Sequence, residues 1–139
     1  MDVAAALKSL VMTSSNTTAI GLGINTMTLG RGGLEVDAMT FHAASGTLSS
    51  AGTLIIAGGT FNAPRGNLTL ARDLIYNSGT FDHNSGTVYF VTNSIIRGSN
   101  VCSLANVTIT GALTAPTGTL NVASNFVNNG TFNHAGGLV

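Results

Sequence analysis

Three observations predict an all-β chain folded as a parallel β-helix (β-solenoid) with coils of about 20 residues. Residue columns recur every 20 positions, short apolar and polar alternations lie between turn residues, and charge is almost absent. Of 139 residues 7% are charged, against roughly 25% in an ordinary soluble domain. Hydrophobic residues reach 44%, and Thr, Asn, Ser and 18 Gly fill the polar positions. Such a chain is neither disordered by composition nor rich in helix formers.

Taken in order, residues 1–19 are the least repetitive and read as a cap or a short helix. The division that follows is an N-terminal cap or first irregular coil over 1–25 and solenoid repeats over 26–139. The apolar stretch 3–12 follows Asp2 and is interrupted by Lys8, a poor match to a secretory leader, so it is read as mature chain. Ile20-Gly21-Leu22-Gly23-Ile24 and Met27-Thr28-Leu29 alternate with the period of two expected of strands.

From there the 20-residue frame is explicit. Thr40-Phe41, Thr60-Phe61 and Thr80-Phe81 recur in register, as do Gly46, Gly66 and Gly86. Behind them, Leu48, Leu68 and Val88 form one apolar column, and Leu34, Leu54 and Leu74 another. A longer duplication overlays this frame. Ala63-Pro64-Arg65-Gly66-Asn67-Leu68 returns as Ala115-Pro116-Thr117-Gly118-Thr119-Leu120, and Gly79-Thr80-Phe81 as Gly130-Thr131-Phe132. Residues 89–106 make a less regular connection between the two copies.

A hairpin meander needs no identical residues at fixed spacing, whereas in a solenoid each position stacks on its own repeat about 4.8 Å away. The columns therefore predict ladders of Thr40, Thr60, Thr80 and Thr131, of Phe41, Phe61, Phe81 and Phe132, and of the corner residues Gly46, Gly66, Gly86 and Gly118. The same stacking explains the missing charge, since a repeated charge would face its own copy about 5 Å away in every coil. Six or so coils would span about 30 Å.

One further likeness concerns residues 119–133 and Asn106-Val107-Thr108-Ile109. The run Asn125-Phe126-Val127-Asn128-Asn129-Gly130-Thr131-Phe132-Asn133 resembles the repeat arrays of large bacterial cell-surface β-helix proteins, which are adhesin-like. The likeness covers about 34–139. It departs at Arg72-Asp73, where the second copy has Ser124-Asn125. It implies a structural module of an extracellular or cell-surface protein.

Chemistry is sparse. Five Lys/Arg balance five Asp/Glu, so there is no basic footprint for nucleic acid. No stretch is apolar for long enough to read as a membrane span. The single cysteine, Cys102, makes neither an internal disulfide nor a metal cluster and reads as a buried small hydrophobe. Carboxylate pairs for glycan cleavage would be Glu35 with Asp37, or Asp73 with Asp82, the latter clustered with an exposed Tyr76 or Tyr89 in one groove. His42, His83 and His134 read as exposed corner residues, with no metal and no cofactor expected. Thr26-Met27-Thr28 and Thr108-Ile109-Thr110 have the spacing of an ice-binding face but do not recur coil after coil, and Asn16, Asn67, Asn106 and Asn129 match glycosylation acceptors.

The chain breaks off within a repeat, because Gly137-Leu138-Val139 matches Gly86-Thr87-Val88 with no cap in view. The expectation is a non-enzymatic module that self-associates end to end as a homo-oligomer or filament. The alternative is a glycan-binding or glycan-cleaving β-helix.

Overall fold

The computed structural model describes the backbone of residues 5–12, 19–98 and 101–139, with side chains from residue 7 onward. It is a β-solenoid of about six turns whose strands are parallel and stacked about 20 residues apart. Gly, Asn and Pro interrupt every apolar run after three to five residues, so each coil closes as three short strands joined at corners.

The first side carries β5 (Thr47–Ser50), β8 (Asn67–Leu70), β11 (Thr87–Phe90), β14 (Asn106–Ile109) and β17 (Phe126–Asn128), each paired with the next. The second carries β6 (Leu54–Ile56), β9 (Leu74–Tyr76), β12 (Asn93–Arg97), β15 (Ala112–Thr114) and β18 (Thr131–Asn133). One long strand, β3 (Thr26–Val36), runs along both sides and pairs with β5 and then β6. The third side holds β2 (Ala19–Gly21), β4 (Thr40–His42), β7 (Thr60–Asn62) and β10 (Thr80–Asp82). After these, β13 (Cys102–Leu104) and β16 (Leu120–Val122) take the third place in the later coils and pair with each other.

Upstream, Ala5–Met12 is strand β1, pairing with β3 along both of its halves. The short helix envisaged for the first 19 residues is therefore corrected over its described part: apolar side chains at Leu10 and Met12 extend the columns of Leu34 and Val36, and burial on a sheet outweighs helix propensity. No helix among the described residues is long and apolar enough to cross a membrane.

Inward columns form the core. Leu48, Leu68, Val88 and Val107 stack in one, and Leu34, Leu54, Leu74 and Ile96 in another, each no more than 2% exposed. On the third side Phe41, Phe61 and Phe81 stack with ring centroids 5.4 Å apart, the first pair within 2° of parallel. Thr40, Thr60 and Thr80 pair in register beside them. Thr131 and Phe132 do not join that column, because β18 pairs with β15 and sets them on Ala112 and Leu113.

The long duplication thus lands on different sides. Leu68 lies on the first side and its counterpart Leu120 on the third, while Phe81 lies on the third and Phe132 on the second. The reason is a shared corner phrase: Gly46-Thr47-Leu48, Gly52-Thr53-Leu54 and Gly59-Thr60-Phe61 open the three sides of a single coil. Since every side begins alike, a duplicated segment fits whichever side the preceding coil presents.

Three substitutions test this packing. Phe61→Ala, which empties the middle of the aromatic stack, lowers the unfolding free energy by about 3–5 kcal/mol in urea denaturation. Gly79 has φ +88° and lies against the backbone of Gly58 and Gly59, so Gly79→Ala costs about 2 kcal/mol or more. Gly118→Ala, with no atom near an added Cβ, stays within about 0.5 kcal/mol.

Candidate functional site

The one-coil register breaks at β12. Ile96 and Arg97 pair backward with Leu74 and Ile75, 22 residues earlier, whereas Asn93, Ser94 and Ile95 pair forward with Ala112, Leu113 and Thr114, 19 residues later. The strand is therefore offset between its neighbours, with one half bonded to each. Both Ser94 and Ile96 point inward at 2% exposure, and the small Ser94 fits where a second large side chain would crowd its neighbour.

Each unpaired half leaves backbone groups without a ladder partner, and side chains complete the pairing. The Asp73 carboxylate accepts a hydrogen bond from the Ile95 N–H at 2.9 Å and an ion pair from Arg97 Nε at 3.5 Å. Thr92 Oγ1 donates to the Ala71 carbonyl at 2.6 Å. Ser94 Oγ, buried, has no hydrogen-bond partner among the described residues.

Two grooves flank the offset strand. One of about 490 Å³ is lined by Ala71, Arg72, Val91, Thr92, Asn93 and Gly111. The other, of about 280 Å³, lies along Ile95, Ile96, Arg97, Thr114 and Pro116. In the first, the exposed Arg72 guanidinium makes no ion pair or hydrogen bond among the described residues, and the neighbouring Asp73 is already engaged. The groove thus carries one uncompensated cation, flanked by an amide, a hydroxyl and the exposed side chain of Val91.

The residues singled out from the sequence lie elsewhere or are committed locally. Glu35 is half-buried between Val11 and Ile55 in the second side's outward column, and Asp37 is exposed at the following corner. Asp82 ends β10, on another side from Asp73, and its carboxylate accepts from the Asn84 N–H. The Tyr76 hydroxyl donates to the Gly79 carbonyl, and Tyr89 faces outward on the first side between Thr69 and Thr108. Neither tyrosine, nor Asp73, nor Asp82, lines either groove.

The histidines serve their corners. His83 Nδ1 accepts from the Ser85 N–H and His134 Nδ1 from the Gly136 N–H, while His42 Nδ1 lies 2.6 Å from Asn62 Nδ2. Among the described residues no three His, Cys, Asp or Glu side chains gather as a metal site requires. The glycines of the predicted ladder hold corners: the Gly66 carbonyl accepts from Thr87 N–H, that of Gly86 from Asn106 N–H, and that of Gly118 from Leu138 N–H, while Gly46 N–H donates to the Ala43 carbonyl.

On the first side, Thr26 and Thr28 are followed in register by Thr47 and Ser49, Asn67 and Thr69, Thr87 and Tyr89, then Asn106 and Thr108. Outward hydroxyls and amides therefore do recur coil after coil, but as a mixed array that Tyr89 interrupts. Thr110 lies beyond it at the corner. Asn67 and Asn129 are exposed, Asn106 is half-buried and bonded to Ser85 and Gly86 carbonyls, and Asn16 lies outside the described residues.

No family model, curated protein or solved structure matches the chain. Sequence reasoning missed the grooves, although it met two signs of them. The 20-residue frame lapses over 89–106, and Arg72-Asp73 is the charged departure from the second copy. Both belong to the same offset.

Three measurements bear on these buried side chains. Ser94→Ala, which removes a buried unpartnered hydroxyl, leaves thermal stability unchanged or raises it by about 1 kcal/mol. Cys102 is 1% exposed, and burial pushes its thiol from 9.0 up to about 12. The unfolded thiol ionises first, so this group's contribution to stability is intact below pH 9 and is lost as the pH rises toward 12. Cys102→Ala flattens that alkaline slope relative to the parent chain, and a thiol reagent at pH 8 labels Cys102 only after denaturation.

Proposed function

We propose that the chain is a non-enzymatic structural module of an extracellular surface protein or fibre, adhesin-like in character, whose coils associate end to end. The observation that carries this reading is the open face of the last coil. There β17 and β18 each pair on one edge only, while Leu138 already bonds along the start of β16, and Phe126, in the inward column below Val107, is 39% exposed. Its ring meets Phe132 edge to face at 5.0 Å, so an aromatic pair that belongs to the core stands at the surface.

A further coil laid on this face would bury that pair and bond the free edges of β17 and β18 together, the mechanism by which a solenoid lengthens. Further coils of a longer array or a second copy meet the same requirement. Zero net charge offers no electrostatic resistance to such stacking. The surface location rests on the likeness of Asn106-Val107-Thr108-Ile109 and the run through Asn133 to cell-surface β-helix arrays. Glycan binding, as a second reading, draws on the Arg72 groove.

Electron microscopy and sedimentation velocity over a range of concentrations test the assembly. The expected result is rods that lengthen with concentration and shorten to single units in Phe126→Lys, which places a charge on the open edge. Monomers at every concentration would sink the end-to-end association of this chain.

A further inference from the structure

We infer that the groove at Arg72 is a binding site for an acidic saccharide, a sugar bearing a carboxylate. The inference rests on the glycan-binding reading and is independent of end-to-end assembly. Four features of the groove converge on this ligand class.

The first is charge. In a chain of zero net charge, Arg72 is a guanidinium with no partner among the described residues, and Asp73, its chain neighbour, is occupied by Arg97 and the Ile95 N–H. A planar five-donor fork left free in this way can donate two parallel bonds to a carboxylate. The second is polar supply. The Thr92 hydroxyl spends its proton on the Ala71 carbonyl, so its lone pairs face a ligand as acceptors, while the exposed Asn93 amide provides both donor and acceptor. A sugar hydroxyl, which donates and accepts, matches that pair.

The third is the wall. Val91 is 36% exposed in the groove, an apolar surface suited to the C–H face of a pyranose ring. The fourth is shape. At about 490 Å³ the groove lies within the range of small-ligand sites, and it sits beside the register offset of β12, between strands bonded to their neighbours. Gly111 on its floor lies against the Thr92 backbone, so a side chain at this position would disturb the groove.

The test is an amide-shift NMR titration of the whole chain with trigalacturonate, its fully methyl-esterified neutral counterpart, and inorganic phosphate. Trigalacturonate is expected to shift the amides of residues 71–72, 91–93 and 111. Arg72→Ala should weaken it about tenfold, the loss of one charge-assisted contact, with Arg31→Ala unchanged. The ester should bind the parent chain about as weakly as the acid binds the variant, and raised salt should weaken the acid alone.

Shifts centred elsewhere, or equal affinity in Arg72→Ala, would overturn the site. Equal affinity for ester and acid would overturn its acidic specificity, leaving a general glycan reading standing. Phosphate reproducing the same shifts at the same affinity would reduce the groove to an anion site and overturn the saccharide.

Discussion

The interaction on which everything else depends is the in-register stacking of each strand on its copy one coil away. Parallel strands about 4.8 Å apart bring each side chain against the residue roughly 20 positions along the chain. Each column therefore has to satisfy itself: Phe41 on Phe61 on Phe81, Leu54 on Leu74, Thr40 on Thr60. A residue that cannot tolerate its own kind as a neighbour is excluded, and a charge is the plainest example. The low charge and the abundance of Thr, Asn and Gly are the same fact seen from outside the core.

That constraint also explains where the fold becomes individual. At β12 the ladder changes register, and the backbone groups released by the change require other partners. Asp73, at the corner before β9, and Arg97, which follows Ile55 and Ile75 in the outward column of the second side, supply them. The same change opens the two grooves on either side of the strand, because neither neighbour runs its full length. Irregularity of register, local charge and concavity share one cause.

Much of this was legible in the residues. The inward columns Leu34, Leu54, Leu74 and Leu48, Leu68, Val88 follow from a period of two within strands and of 20 between them, and the structure pairs them position by position. Residues 5–12 were harder, because an apolar run with Ala and Leu suits a helix as well as a strand until β3 offers it an edge. The groove at Arg72 was legible only as a lapse, a stretch without frame beside an odd charged pair. What the lapse would build depends on which half of Asn93–Arg97 bonds to which neighbour.

By itself, the sequence determined that the chain is made of short strands, how long a coil is, and which residues of each strand turn inward, because these are set by alternation and by glycine-rich corners acting locally. Only the tertiary structure decided which side of the coil a given segment occupies and where the register shifts. The Gly-Thr-apolar phrase, with Asn67 in the place of Thr before Leu68, opens all three sides, so its pattern does not distinguish Leu68 on the first from Leu120 on the third. Their places follow from the number of corners already turned and from the coil beneath, and those are properties of the stacked whole.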